Sequence, residues 1–421
     1  MIYMKLLITN IKCLVQIEET PKLFCAGNEM AEINTLNDAF LYVEDGIIKD
    51  YGTMRELEKS DINNNRNQNK LIDASGKMVF PSFCDSHTHI VYAGSREQEF
   101  VDKINGLTYE EIAKRGGGIL NSTGILHNTT EEDLYRQSMV RVNEIIRSGT
   151  GAVEIKSGYG LNLNDELKML RVIKRIRETS PIEVRSTFLG AHAVPEEYRN
   201  DRNKYIDLIM NEMIPVIASE ELADFIDVFC DRGFFTVEET EKILMAGLKY
   251  GMPAKLHANE LANSGGVQVG VKYNALSVDH LECIGDDEIN ALLSSETMPT
   301  LLPGSVFFLG LQEPPARQMI SAGLPVALAS DYNPGSSPSG NMKLIMSLAC
   351  IRFKMTPEEV INAVTINSSY AMGIRETHGS IARGKVANLF ITKEIPTYQF
   401  MPYAFGSDLI ETVILKGDVI D

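Results

Sequence analysis

The sequence predicts an α/β fold: a (β/α)8 TIM-like barrel with a small β-sandwich domain formed by both termini. Three observations predict it. The middle of the chain alternates short apolar runs with amphipathic helical stretches, the pattern of a parallel sheet covered by helices. The two ends are β-rich and flank that middle, as one small domain closed by both termini would require. Four segments place a histidine or aspartate just past an apolar run, where barrel enzymes carry their chemistry.

Taken in order, residues 1–78 read as short strands and turns. Tyr3-Met-Lys-Leu-Leu-Ile-Thr-Asn10, Ala39-Phe-Leu-Tyr-Val-Glu44 and Gly46-Ile-Ile-Lys-Asp-Tyr-Gly52 are the strands, and the Asn-rich stretch 61–69 is a surface loop. The barrel is expected over 79–378. Its strand runs are 77–84, 151–156, 183–190, 225–230, 253–257, 275–280, 298–303 and 324–330. Thr108-Tyr-Glu-Glu111, Thr236-Val-Glu-Glu239 and Thr356-Pro-Glu-Glu359 have the form of helix-starting capping boxes, and Gly149 and Gly251 close helices. Residues 379–421 return to β structure, with Val386-Ala-Asn-Leu-Phe-Ile-Thr392 and Leu409-Ile-Glu-Thr-Val-Ile-Leu-Lys-Gly417 as strands. A doubly wound sheet is the alternative, but no G-x-G-x-x-G follows a strand.

Composition narrows the function classes. The chain has 421 residues, 44% hydrophobic and 23% charged, with a formal net charge of −17. Such an acidic surface argues against nucleic acid as a partner, though a local arginine can still receive a small anion. No run approaches the ~20 apolar residues of a membrane helix. The start lacks a cleavable leader, so the sequons at Asn121, Asn128 and Asn367 carry no weight. None of the six cysteines forms C-x-x-C, which suits free thiols in a reducing cytoplasm.

The four segments are Asp85-Ser-His-Thr-His89, Lys255-Leu-His-Ala-Asn-Glu260, Val278-Asp-His-Leu-Glu282 and Ala329-Ser-Asp-Tyr-Asn-Pro334. They collect His87, His89, His257, His280 and Asp331. In an extended segment residues i and i+2 point to one side, so His87 and His89 can share one ion. Imidazoles with one carboxylate and an open position suit Zn²⁺ or Fe²⁺ that activates water. Glu260 follows His257 by three residues, placed either to move protons beside the metal or to begin a helix. His127 and His378 sit in polar surroundings and read as loop surface. Lys114-Arg-Gly-Gly-Gly118 reads as a lid or as a helix terminus, and no G-x-S-x-G or P-loop is present.

These segments resemble the amidohydrolase superfamily. The likeness extends beyond the metal motifs to Asp85-Ser-His-Thr-His-Ile-Val-Tyr-Ala-Gly-Ser-Arg96, Tyr109-Glu-Glu-Ile112, Glu154-Ile-Lys-Ser-Gly-Tyr-Gly-Leu161, Gly190-Ala-His-Ala-Val-Pro195 and Asp331-Tyr-Asn-Pro-Gly-Ser336. The resemblance implies one divalent ion per chain on His87, His89, His257 and Asp331. It implies substrate contacts from Arg96, Tyr159, His192 and Glu260, with Asn333, Gly335 and Ser336 at the product end. Ser86 stands where such chains commonly have proline. The implied reaction is hydrolysis of the cyclic amide of 4-imidazolone-5-propanoate to N-formimidoyl-L-glutamate, a step of histidine degradation, by a cytoplasmic homodimer. An oxyanion would form near His280, and Asp331 or Glu260 would carry the proton to the leaving nitrogen. Arg96 would grip the carboxylate tail in bidentate fashion. Two other readings stay open: a deaminase of a purine-like ring using the same metal and Glu260, and a catalytically dead scaffold. The fourth barrel run ends at Asp231 without the lysine that bridges two metals in many relatives, so a single ion is expected.

Overall fold

A computed structural model describes residues 5–64, 69–107, 111 and 117–420. In chain order its strands are β1 (Lys5–Val15), β2 (Thr35–Glu44), β3 (Ile47–Thr53), β4 (Lys70–Asp73), β5 (Lys77–Pro81), β6 (Phe83–Thr88), β7 (Thr150–Lys156), β8 (Glu183–Ala191), β9 (Phe225–Cys230), β10 (Ala254–Ala258), β11 (Ser277–His280), β12 (Met298–Leu301), β13 (Ala327–Leu328), β14 (Leu389–Glu394), β15 (Ile410–Leu415) and β16 (Asp418–Ile420). Strands β6 to β13 pair in sequence order and in parallel. The ring closes between its last and first strands. Asp331 N donates to His87 O at 2.9 Å, and His89 N to Tyr332 O at 2.9 Å. The barrel therefore closes at the metal motif itself.

Both termini build one further sheet, in the order β16-β15-β14-β5-β1-β2-β3, with β4 added on β1. Its core holds Leu6, Ile8, Leu41, Val43, Leu389 and Ile414 from both ends of the chain. The apolar run 77–84 proves to be two strands rather than one. Lys77–Pro81 pairs with β1 and β14, and Phe83–Thr88 starts the barrel. Ser82 is the crossing point, its N–H donating to Asn388 O at 2.9 Å. Gly151 has to be bare here, because a Cβ would lie 2.1 Å from Ser82 Oγ.

Helix signals fare according to their chemistry. The capping boxes at Thr236 and Thr356 form as expected. The one at 108–111 falls largely outside the described residues. Gly149 and Gly251 adopt positive φ just past the helices Glu131–Arg147 and Val237–Leu248. Of the 114–118 run, Gly118 serves as the N-cap of the helix Ile119–His127, while 114–116 lie outside the described residues. The Asn-rich stretch opens with a helical turn, Asp61–Asn64, and 65–68 are not described.

The loop after β6 is braced from outside the barrel. Arg141, on the helix Glu131–Arg147, is 8% exposed. Its Nη1 donates to Ile90 O at 2.8 Å and Tyr92 O at 2.9 Å, and its guanidinium lies 3.4 Å from the Tyr92 ring centre. Arg141→Met keeps the apolar stem and leaves two buried carbonyls unpaired. We expect a loss of roughly 2–4 kcal/mol in denaturant unfolding. An unchanged midpoint would show that the loop does not depend on this brace.

Candidate metal centre and substrate pocket

Alternation along the strands sets the site. In β6, Asp85 and His87 share one face, and His89 follows just past its end; in β10, Lys255 and His257 share a face; in β11, Ser277 and Asp279. The inward faces thus deliver polar groups in layers, with the imidazoles at the carboxyl-terminal mouth and charged groups beneath them. His87, His89, His257, His280 and Asp331 are all 3% exposed or less.

Two groups of donors with mutual separations suited to one ion, His87/His257/His280 and His87/His89/Asp331, share His87. The Nε2 atoms of His87 and His89 stand 3.3 Å apart, and Asp331 Oδ1 lies 3.6 and 3.7 Å from them. Nitrogen ligands at Zn–N distances of ~2.0–2.1 Å in a tetrahedron stand about 3.4 Å apart, so the donor set fits such an ion. His87 Nδ1 meets Asp279 Oδ2 at 2.7 Å. A carboxylate can only accept, so the proton sits on Nδ1 and Nε2 is a free lone pair. His257 Nδ1 lies 3.0 Å from Asp227 Oδ2 but off the line of a hydrogen bond, and its buried Nε2 has no protein partner. Burial and neighbouring positive charge hold His87 and His89 well below the usual imidazole range, the neutral state that ligation requires.

A cavity of about 600 Å³ opens above these donors, within the usual range for a small-molecule site. His89, Arg96, Tyr159, His192, His257, Glu260, His280, Asp331, Asn333, Gly335 and Ser336 all line it. His87 lies below them. Every residue expected at the site is therefore at or under one cavity.

Arg96 is the N-cap residue of the helix Glu97–Ile104, with its side chain 9% exposed. Its Nε and Nη2 donate to Glu99 Oε2 at 3.0 and 2.8 Å. Glu99 Oε1 in turn accepts from Gly118 N and Asn121 Nδ2. The bidentate Nε/Nη2 edge is thus already used, and the Nη1 side faces Gly335, where a Cβ would lie 2.1 Å from Nη1. His192 Nδ1 lies 3.0 Å from Gly158 O, which places its proton there and leaves Nε2 as an acceptor. Burial lowers its pKa to about 3. Tyr159 is 2% exposed, and burial pushes its hydroxyl well above its usual range. The loop carrying it is held by Glu166, which accepts from Gly158, Gly160 and Leu161 N–H groups at 3.1, 2.8 and 2.9 Å.

His280 stands between two carboxylates, Glu260 at 3.7 Å and Glu282 at 3.5 Å. They push its pKa up to about 10, while burial raises Glu260 to about 7. Asn333 commits its amide to the 331–336 turn: it donates to Asp331 O at 2.7 Å and accepts from Gly335 N and Ser336 N at 2.7 and 2.8 Å. Ser336 Oγ donates to Asp331 Oδ2 at 3.1 Å. His280, Leu281 and Asp331 all have φ between 52° and 86°, strained backbone at the strand ends.

His378 is not on the surface: it is 6% exposed, and burial lowers its pKa to about 4. Its Nδ1 lies 2.8 Å from Thr377 Oγ1. His127 is exposed, but it ends a helix and meets Gly160 O at 2.9 Å. Sequence reasoning missed Glu99, Glu166, Asp227, Asp279 and Glu282. Asp227 carried a signal, because it interrupts an apolar strand run at an inward-facing position.

Comparison with known proteins agrees with this geometry. The model of the amidohydrolase family matches residues 78–420. The imidazolonepropionase of Flavobacterium johnsoniae is 56% identical over 98% of this chain and 99% of its own length. Those of Christiangramia forsetii and Clostridium tetani are 54% and 43% identical, covering 99% and 94% of this chain and 100% and 93% of their own. Among solved structures, an adenosine deaminase from Xanthomonas campestris with bound zinc has a TM-score of 0.68 at 16% identity, covering 99% of this chain and 92% of its own. A 5-methylcytosine deaminase from Klebsiella pneumoniae has a TM-score of 0.73 at 16% identity, covering 99% and 97%. At that identity the likeness is one of fold, whereas the imidazolonepropionases match over the whole length. The chain belongs to the amidohydrolase family and, within it, to the imidazolonepropionases.

Proposed function

We propose that the chain hydrolyses the cyclic amide of 4-imidazolone-5-propanoate to N-formimidoyl-L-glutamate, holding one divalent ion per chain, Zn²⁺ or Fe²⁺, on His87, His89, His257 and Asp331. One observation carries the reading. A single cavity has the histidine–aspartate donor set at its floor and a half-buried arginine on its wall, which suits a small ring with a carboxylate tail. A neutral deaminase substrate would offer no anion to the Arg96 edge that Glu99 leaves free. A homodimer in the cytoplasm belongs to the same proposal.

The ion, when bound, polarises the lactam carbonyl and activates water. The chain's residues do the rest. Arg96 takes the carboxylate on the edge that Glu99 leaves free, and Tyr159 and the His192 Nε2 lone pair fix the ring. Water adds to the carbonyl carbon, and His280, kept protonated by Glu260 and Glu282, donates to the resulting oxyanion. The carbon–nitrogen bond then breaks as the ring nitrogen gains the proton that Glu260 or Asp331 took from water. Asn333, Gly335 and Ser336 shape the wall beside Asp331. Incubating purified protein with 4-imidazolone-5-propanoate, alongside metal analysis, tests the proposal. Loss of the ring with N-formimidoyl-L-glutamate appearing is expected, and chelation should stop it.

Arg96→Lys replaces a planar fork with a point charge and frees Glu99 from its partner. We expect kcat/KM to fall roughly 10–100-fold, mainly through KM. Unchanged constants would remove the carboxylate clamp and favour the deaminase reading. Glu260→Gln should keep its metal and lose about 10²–10⁴ in kcat, whereas His257→Ala should lose metal and turnover together. Because burial holds Glu260 near 7, its proton-accepting form declines as pH falls through neutrality. In the parent, kcat/KM should therefore drop between pH 8 and 6, and Glu260→Gln should lack that limb. Near-parent turnover by a fully loaded Glu260→Gln protein would leave the proton to Asp331.

A further inference from the structure

Below the donor cluster lies a group of charges that no step above uses. Glu154, Lys156, Lys255, Asp227 and Asp279 are each 1% exposed or less. Lys156 Nζ donates to Glu154 Oε1 at 2.6 Å and to Asp227 Oδ2 at 2.8 Å, and stands 3.7 Å from Asp279 Oδ2. Lys255 also pairs with Glu154, and donates to Ser86 O at 3.2 Å and Ala371 O at 2.9 Å. The oxygens matter. Asp227 Oδ2 is the atom that faces both Lys156 and His257 Nδ1, and Asp279 Oδ2 faces both Lys156 and His87 Nδ1. The opposite oxygens are pinned elsewhere: Asp227 Oδ1 accepts from His257 N at 3.1 Å, and Asp279 Oδ1 from Ser277 Oγ at 2.6 Å.

We propose that Lys156 is a positioning residue for the metal centre: one buried ammonium on β7 that holds the carboxylates of β9 and β11 at the back of the His257 and His87 rings. Two carboxylates brought this close without water repel each other, and each would turn its oxygen away from its imidazole. The ammonium between them lets both keep their places. Partners behind a ligating histidine fix its ring orientation, and their loss typically weakens metal binding by 10–100-fold. Here one lysine serves two such partners, so its removal disturbs both ligands at once.

This inference rests on the metal-centre reading above. The test is transfer of zinc from the loaded full-length protein to a chromophoric chelator, with unfolding of the zinc-free protein followed in parallel. Lys156→Met should raise the zinc Kd by about 10–100-fold. It should also shift the visible spectrum of the cobalt-loaded protein, because two ligand rings change orientation. A lower unfolding midpoint with zinc Kd and cobalt spectrum unchanged would make Lys156 merely structural and overturn the proposal. If Lys156→Met does not fold, Asp279→Asn is compared with the charge-matched pair Lys156→Met/Asp279→Asn. The pair should bind zinc at least tenfold more weakly, because Asp227 has lost its brace; equal affinity overturns the proposal. A parent protein that holds no zinc, iron or cobalt would instead overturn the metal-centre reading, and this inference with it.

Discussion

Pairing of buried charge is the constraint on which the rest of this structure depends. A carboxylate or ammonium taken out of water costs several kcal/mol unless partners surround it. Among the described residues, five such groups on strands β7, β9, β10 and β11 meet one another beneath the donor cluster. Their mutual contacts are satisfied in one arrangement of those strands. A one-residue slip in any of them would turn its charged side chain out of the barrel and an apolar one into the cluster. The same cluster stands behind the two histidines at the centre of the donor set. Strand register and site geometry therefore answer to one requirement.

Above that layer the order of the barrel mouth comes from short local bonds. Asn333 ties the 331–336 turn, Glu166 the 158–161 loop, and Glu99 the arginine and the turn at Gly118. These carboxylates and amides touch no reacting atom, but each holds the backbone or side chain of one that lines the cavity. Asp331, whose φ is 52°, opens the turn that Asn333 ties.

The legible part of this chain was the part that repeats or interrupts a pattern. Eight apolar runs with helices between them marked the barrel, and histidines at the ends of those runs marked the mouth. The strand count was right, including the end of β9 without a lysine. What was not legible depended on partners far apart in sequence. Residues 77–84 looked like one strand because nothing local reveals that Ser82 crosses between sheets; Asn388 and Gly151 decide that. His378 looked exposed because its neighbours are polar, and only the packing around Lys385 buries it. Glu99 and Glu166 lie among the charged residues of helices, where sequence cannot separate a solvated face from a buried brace. Asp227 was open to a stricter reading, since a carboxylate inside an apolar strand must have a partner across the barrel.

The contact between Gly335 and Arg96 has an evolutionary side. A hydrogen at position 335 is what makes room for the guanidinium, with only 2.1 Å left for a Cβ. The two positions, 239 residues apart in sequence, are therefore not free to vary separately. Any side chain at 335 makes the guanidinium shift from its present place while 96 stays long; once 96 shortens, the same side chain has a hole to fill. The order of substitutions matters, and effects at the two sites will not add. A scaffold that shortened position 96 would lose the reason for a glycine at 335.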